Sequence, residues 1–221
     1  MHGGYKLKAV TTFECPPFFT AHNISDEVLH NHTLYPIVKA LGRTGRYAVA
    51  TPIIWKKICI DCVFEDFLVY GTTFVRRRNI LSCVSICSKH ASELIEICPT
   101  CSIALKKHAI SELNVCFLKY RVPTYQQNSR RHLLSKFVAE LLRYSGPFIA
   151  PNRLHQHVIE KLSIKHKTQG SLRELINTEP SITDSLGSPA VGRVETVNGY
   201  VILAFVGFEN VHNYLDWATQ N

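Results

Sequence analysis

The pattern of apolar and polar positions predicts a mainly helical chain. The segment SDEVLHNHTLYPIVKAL starts at Ser25, a good N-cap, and has acidic residues in its first turn, which is typical of a helix start. Pro36 is expected to break or kink that helix. In RHLLSKFVAELLRYS, residues 131–145, leucine, phenylalanine and valine recur at helical spacing, and the following Gly-Pro predicts a stop.

Further elements are predicted in the last third of the chain. A helix is expected to begin near Pro151 and a third, short one near Ser171, which stands in a capping-box relationship to Glu174. The first of these would carry Leu154, Val158 and Leu162 on one face. Short helices joined by tight connections, one of them basic, are compatible with a helix-turn-helix, although any small bundle shows the same pattern.

Residues 190–205, AVGRVETVNGYVILAF, contain Asn198-Gly199 between runs of strand-forming residues. This dipeptide is a strong hairpin signal, so we expect a β-hairpin here. Three helices followed by a hairpin is the order of a winged helix; the alternative is a hairpin that only covers the helical core. A closing amphipathic helix is expected to use Val211, Leu215 and Trp217.

Length and composition indicate a globular protein that buries a substantial core, with 221 residues of which 46% are hydrophobic. The sequence has no run of about 18 apolar residues, and its first residues lack the features of a signal peptide, so we expect a soluble cytoplasmic protein without membrane contact. Lys and Arg outnumber Asp and Glu by 25 to 17. The excess makes a polyanionic partner plausible, against the alternative of a solvated basic surface.

Eight cysteines in a reducing compartment favour metal ligation over disulfides. Three Cys-x-x motifs recur within 43 residues: Cys59 and Cys62, Cys87 and His90, and Cys98 and Cys101. A two-residue gap lets both side chains of a turn face one ion, and a tetrahedral zinc needs two such pairs.

Two pairings remain open at this point. Cys59 and Cys62 could join Cys87 and His90, which would leave Cys98 and Cys101 to seek His108 and Cys116 as partners. Alternatively, the first and third pairs could form a Cys₄ site. Other interpretations are cysteines packed as small hydrophobes, as expected for Cys15 and Cys83, and a thiol-exchange motif at CPTC.

We expect no enzyme, because no nucleophile, base and orienting group stand at a recognisable spacing. The acidic residues Glu65, Asp66, Glu93 and Glu96 near the cysteines are interpreted as solvated surface. The predicted phosphate contacts are arginines, in the triplet between the first two cysteine motifs and in the helical region. They are Arg76, Arg77, Arg78, Arg130, Arg131 and Arg153.

Three segments together resemble the TniQ/TnsD family of transposon target-selection proteins: HTLYP (32–36), LGRTGRY (41–47) and residues 59–101. In that family a Thr-Leu-aromatic-Pro element precedes a Cys-x-x-Cys, an acidic residue, a Tyr-Gly, a basic stretch and a Cys-x-x-His. The resemblance implies that Cys59, Cys62, Cys87 and His90 are zinc ligands. Ser88 and Ala91 stand where the family usually has proline and glycine, and Lys119 stands where relatives often complete another Cys-x-x-Cys.

The resemblance implies a non-catalytic, nucleoid-associated DNA-targeting adaptor with one zinc site and a possible second. Such proteins recognise a chromosomal site or a guide-RNA complex, can self-associate, and recruit an AAA+ ATPase that brings the transposase. Two other functions stay open: a protein-interaction adaptor with little DNA affinity, and a zinc-ribbon transcription regulator.

The expected fold is therefore mainly α with small β elements. Residues 1–25 form an N-terminal arm, and 26–120 form a TniQ-like zinc-binding domain of the zinc-knuckle or zinc-ribbon type. Residues 130–221 form a helical domain that resembles a helix-turn-helix or winged helix.

Overall fold

The computed structural model describes residues 25–43, 57–109, 113, 116, 126–150, 153–166 and 197–220. Within these ranges the chain is mainly helical. The α-helices are α1 (Asp26–His32), α2 (Tyr35–Ala40), α3 (Ile60–Tyr70), α4 (Arg130–Leu141), α5 (Leu154–His166), α6 (Val197–Phe208) and α7 (Val211–Gln220). Two 3₁₀ turns span Arg77–Asn79 and Leu105–Lys107.

The predicted helix start at Ser25 is confirmed, since its side chain accepts a hydrogen bond from the backbone N–H of Val28. Helix α1 ends at His32, and Pro36 lies in the first turn of the separate helix α2. The hydroxyl of Thr33 joins the two helices: it donates to the carbonyl of Leu29 and accepts from the N–H of Tyr35. The HTLYP element is therefore a break between two helices and the start of the second.

The helices predicted after residue 130 and residue 151 are also confirmed. Ser129 caps α4, where its side chain accepts from the N–H of His132 at 3.2 Å. In α5 the predicted apolar face of Leu154, Val158 and Leu162 is buried.

The hairpin predicted at Asn198 and Gly199 is wrong, because Val197–Phe208 is the helix α6. Its residues from Gly199 to Gly207 are all buried, and α6 packs against α4, α5 and α7. A helix that is surrounded on all sides is apolar on all sides, so its sequence shows no helical period and reads like a strand. Residues 197–208 therefore do not form the wing of the predicted winged helix.

Helix α7 closes the bundle, as predicted. Val211 is buried, and Leu215 and Trp217 are partly buried against the core. Tyr214, which the sequence pattern did not single out, is fully buried, and its hydroxyl donates to the carbonyl of Ala40 at 2.9 Å.

The main core includes residues from both sides of the predicted boundary at 120–130, among them Leu34, Ile37, Leu134, Phe137, Val201 and Phe205.

The described β structure consists of isolated bridges: Ile58 with Ile95, Ile86 with Glu93, and Ile97 with Ala104. Gly42 has a left-handed φ of 63°, and a Cβ there would lie 2.6 Å from the carbonyl oxygen of Ala150, so the LGR turn requires glycine.

The predicted arm at 1–25, apart from Ser25, and the helix near Ser171 lie outside the described residues. None of the helices in the described ranges has the length and apolar character of a membrane span.

Candidate metal centres

The first cluster consists of Cys59, Cys62, Cys87 and His90, whose ligand atoms all lie within 4.8 Å of one another. The Nδ1 atom of His90 is 3.4 Å from the sulfurs of both Cys59 and Cys62, and the sulfurs of Cys62 and Cys87 are 3.7 Å apart. Around a tetrahedral zinc, with bonds of about 2.3 Å to sulfur and about 2.0 Å to nitrogen, two sulfurs are about 3.8 Å apart and sulfur and nitrogen about 3.6 Å. The observed spacing fits such an ion.

Helix α3 supplies half of this cluster. Cys59 is its N-cap and Cys62 lies in its first turn, so both sulfurs are near the positive end of the helix dipole, which stabilises thiolates. The helix ends at Gly71, whose φ of 68° is left-handed and whose N–H donates to the carbonyl of Phe67. The Tyr70-Gly71 pair is thus a helix C-cap that only glycine fits without strain.

The other half is a tight turn, the first knuckle, at residues 86–93. The N–H of Cys87 donates to the carbonyl of Ser92 at 2.8 Å, and the N–H of Ala91 donates to the carbonyl of Cys87 at 2.9 Å. Ala91 has a φ of 57°. This left-handed position explains why glycine is the usual residue of the resembled pattern, and alanine occupies it at a cost.

Polar groups surround the first cluster. The Nε2 atom of His90 lies 3.0 Å from a carboxylate oxygen of Glu65, whose other oxygen accepts from Lys89 at 2.5 Å. A carboxylate on the second nitrogen leaves Nδ1 free as the ligand atom and orients the ring, as is usual for metal-bound histidines. Arg78 donates to the sulfur of Cys62 at 3.4 Å. The hydroxyl oxygen of Ser92 lies 3.1 Å from the sulfur of Cys59.

Among the three thiols, these contacts favour one thiolate, that of Cys87. Hydrogen bonds with Cys62 and Cys87 raise the pKa of Cys59. The contact with Cys59 lowers the pKa of Cys62, but the contact with Cys87 and burial outweigh it, so that this pKa is raised. Hydrogen bonds from the thiols of Cys59 and Cys62 lower the pKa of Cys87, with further help from the backbone of His90. The hydrogen bond from Lys89 lowers the pKa of Glu65. Metal binds thiolates and a neutral imidazole, so an ion in this cluster would displace the protons that Cys59 and Cys62 keep without it. The residue types and the spacing are those of a metal site.

The second cluster consists of Cys98, Cys101, His108 and Cys116, again with all ligand atoms within 4.8 Å. The Nε2 atom of His108 is 3.2 Å from the sulfur of Cys116. Burial raises the pKa of Cys98, but the backbone N–H groups of Cys101 and Thr100 outweigh it and bring the pKa to about 7. The fourth ligand atom comes from His108, so this cluster is complete without a contribution from position 119.

The second knuckle, residues 97–104, repeats the first one 11 residues later. The N–H of Cys98 donates to the carbonyl of Ile103, and that of Ser102 to the carbonyl of Cys98, both at 2.9 Å. Ser102 has a φ of 59°, the counterpart of Ala91. The matching sequences ICSKHASE and ICPTCSIA carry this repeat, which the sequence analysis did not identify.

The structure thus separates the two pairings that the sequence left open. The first and second motifs share one cluster, and the third joins the two downstream residues; the Cys₄ combination is not the arrangement found. Cys83 belongs to neither cluster: it is buried in the main core, and burial raises its pKa to about 12. Cys15 lies outside the described residues.

Three of the acidic residues interpreted as solvated surface have specific partners. Glu65 contacts His90 and Lys89, and the exposed Glu93 accepts from the side chain of Gln126 at 3.0 Å. Asp66 is buried; it accepts from the hydroxyl of Thr73 at 2.9 Å and forms an ion pair with Arg76. Since Glu65 and Asp66 lie three and four residues after Cys62, helical spacing places them on the same side of α3 as that ligand. This spacing was the signal that could have identified them.

The arginine triplet has intramolecular contacts. Arg76 pairs with Asp66 and lies over the ring of Phe74, while Arg78 contacts Cys62. Arg77 donates to three carbonyls, those of His30, Thr33 and Leu142. All three arginines nevertheless line a cavity of about 410 Å³, together with His32 and Arg143, which the sequence analysis did not select.

The other predicted phosphate contacts lie elsewhere. Arg130 forms an ion pair with Glu209 at 2.7 Å and lies over the ring of Phe205. Arg131 is half-buried, and Arg153 is exposed before the start of α5. These three residues do not line the cavity around the triplet, and their contact with DNA stays a prediction.

No protein-family model matches this sequence, and no curated protein matches it.

Proposed function

We propose that this protein is a non-catalytic, zinc-containing DNA-binding protein that selects a target site and recruits transposition machinery. The observation that carries the proposal is the arginine-lined cavity beside a complete Cys₃His cluster, joined to it by the contact of Arg78 with Cys62. A concave surface lined by several arginines suits phosphate binding.

Zinc is the metal that we propose for both clusters. Three thiolates and one imidazole at tetrahedral spacing form a common structural zinc site, and four protein ligands leave no open position for a reacting water. In the first cluster all three cysteines are buried, so the metal would replace apolar packing at the place where α3 meets the first knuckle. Such a site contributes directly to folding.

The role in transposition rests on the TniQ/TnsD resemblance. Three described residues of the quoted motifs have structural roles: Thr33 links α1 and α2, Gly71 caps α3, and Asp66 holds the loop that carries the arginines. The proposed partners are DNA and an AAA+ ATPase, with a guide-RNA complex as an alternative source of specificity.

The test is a selection of random and genomic duplex DNA fragments on the zinc-loaded protein at about 0.15 M salt, followed by sequencing. Enrichment of one defined site would support a target selector. Recovery of no fragments, with the zinc content intact, would contradict direct DNA targeting.

A second candidate, a protein-interaction adaptor, is favoured by one observation. At the end of α3, Leu68 is 87% exposed, Val69 69% and Tyr70 65%, which forms an apolar ridge in contact with Phe74 through Tyr70. Exposed clusters of this kind mark contact sites for other proteins. Capture of a purified AAA+ ATPase that is lost in Leu68→Ser, by a protein that binds no duplex, would favour this function.

A further inference from the structure

The cavity beside the arginine triplet is formed by three separate segments of the chain. They are the end of α1, the segment 74–78 that leads into the 3₁₀ turn Arg77–Asn79, and the end of α4 with the residues after it. The lining residues that matter here are His32, Phe74, Arg77, Arg78 and Arg143. With a volume of about 410 Å³, the cavity falls in the range of sites for single small-molecule units.

The charge of this cavity is positive. It is lined by four arginines, Arg76, Arg77, Arg78 and Arg143, and by no carboxylate among the described residues. Asp66 neutralises Arg76, but Arg77 donates only to carbonyl groups, which do not cancel its charge. Arg143 is exposed and has no carboxylate within salt-bridge distance among the described residues. The surplus favours an anionic ligand.

The cavity also offers an aromatic surface. Phe74 is 47% exposed, and the guanidinium group of Arg76 lies 4.8 Å from the centre of its ring. Nucleobases stack on aromatic rings and on guanidinium planes. In a duplex the faces of each base are covered by neighbouring base pairs, so only an unpaired nucleotide can use this surface.

We propose that this cavity binds an unpaired nucleotide of a single-stranded nucleic acid, with its phosphates at Arg77, Arg78 and Arg143 and its base against Phe74. The inference rests on the proposed DNA-binding function and deepens it. A target-selecting protein with such a site recognises a strand that has been separated from its partner, in addition to any duplex contact.

The experiment measures the affinity of the zinc-loaded full chain for three fluorescent probes of equal length, roughly 12 nucleotides. The probes are oligo-dT, oligo-U and a mixed-sequence duplex. Anisotropy titrations at several salt concentrations give affinities and salt slopes. We expect oligo-dT to bind at least about fivefold more tightly than the duplex, since loss of one stacked base costs roughly fivefold or more in affinity. A preference between oligo-dT and oligo-U identifies the kind of strand.

Substitutions at two positions, Phe74 and Arg143, test the proposed contacts. Phe74→Ala should weaken oligo-dT binding by roughly fivefold or more without changing the salt slope, and Phe74→Trp should restore it. Arg143→Ala should weaken binding and make the salt slope shallower by about 0.7, the value for one phosphate contact on a single strand. The matched control is Lys136→Ala, which removes an exposed cation of α4 that does not line the cavity.

Circular dichroism and zinc content establish that each variant is folded, which is expected because Phe74 and Arg143 are exposed. Equal binding of duplex and single strand, unaffected by Phe74→Ala, would overturn the inference and leave the proposed DNA binding intact. Absence of binding to all three probes would overturn both.

Discussion

Two residues in the knuckles hold a left-handed backbone conformation that side chains disfavour, Ala91 with a φ of 57° and Ser102 with a φ of 59°. The conformation costs about 1–2 kcal/mol in a residue with a Cβ, and glycine avoids it. We therefore expect Ser102→Gly to raise the free energy of unfolding by about 1 kcal/mol, because Ser102 is exposed and loses no packing. Urea unfolding at constant free zinc measures the change.

Ala91→Gly should stabilise less than Ser102→Gly. Ala91 is buried, and removal of its methyl group loses about 0.8 kcal/mol of burial against the relief of strain. The matched control is Ala104→Gly, at a position with a φ of −60° that alanine adopts without strain, where glycine should destabilise because it gives the unfolded chain more conformational freedom. If Ala104→Gly stabilised the protein as much as Ser102→Gly, relief of left-handed strain would be the wrong explanation.

Glu65 is expected to tune the first metal site through His90. Glu65→Gln replaces the carboxylate on Nε2 with a neutral amide, which makes the imidazole a weaker ligand, so zinc affinity at this site should fall by about 10- to 100-fold. Competition with a chromophoric chelator measures the affinity. Glu140→Gln, an exposed carboxylate on α4, controls for the change in charge. Equal losses in the two variants would show a general electrostatic effect instead.

At the residue scale, six of the eight residues in the two clusters were predictable because they belong to Cys-x-x motifs, which are local in sequence. Their pairing was not, since two arrangements satisfy the same spacing, and the contacts of Arg77 with His30 and Leu142 depend on elements distant in sequence. The sequence predicts that the arginine triplet faces phosphates. In the structure all three arginines make intramolecular contacts and also line the cavity. Arg143 and His32 reach the same cavity only through folding.

Among the elements, α1, α4 and α5 follow from capping residues and apolar spacing, which are local signals. Helix α6 does not, because β-branched and aromatic residues around Asn198-Gly199 suit a strand in isolation. Tertiary packing decides the matter: α6 is enclosed by three other helices, and the Asn198 side chain, which was assigned to a turn, accepts a hydrogen bond from the N–H of Cys83. The burial that makes this helix stable also removes its amphipathic pattern.

The packing of α5 against α6 and α7 should be sensitive to acid through His157. Its ring stacks on Phe208 with centroids 4.8 Å apart and lies 5.0 Å from that of Trp217. Burial lowers the pKa of His157, Lys161 lowers it further, and Glu160 opposes the shift. The unfolded chain therefore takes up this proton first, so stability should be lost as the pH falls below about 6.5 towards the lower folded-state pKa.

His157→Phe retains an aromatic ring without a titrating group, so its stability should fall less than that of the wild type between pH 7 and pH 5.5. Comparison of thermal midpoints at both pH values measures this, and the contribution of the metal ligands cancels in the difference. His212→Phe, at an exposed position on α7, is the control. Parallel pH profiles for wild type and His157→Phe would contradict the assignment.

In the molecule as a whole, each cluster is associated with a different apolar core: the first cluster with the main core, the second cluster with a smaller one. The main core lies among the helices, and a smaller one includes Ile58, Ile60, Val63 and Leu105. Leu94, between the two knuckles, packs against both the main core and the cysteines of the first cluster. In the second cluster Cys98 is buried in the smaller core, but Cys101 is exposed, so this cluster lies partly at the surface. The two sites should therefore contribute unequally to folding.

Cys59→Ser and Cys101→Ser form a matched pair that tests this inequality. Loss of the buried cysteine should destabilise the whole described fold, because it would leave two other buried cysteines and the N-terminus of α3 without the zinc ion that we propose joins them. Cys101→Ser should release the second zinc while the helical circular dichroism signal and most of the stability are kept. Zinc content, circular dichroism and urea unfolding report the three quantities. Equal destabilisation would mean that both sites hold the core, and full stability of Cys59→Ser would rule out a structural metal in the first cluster.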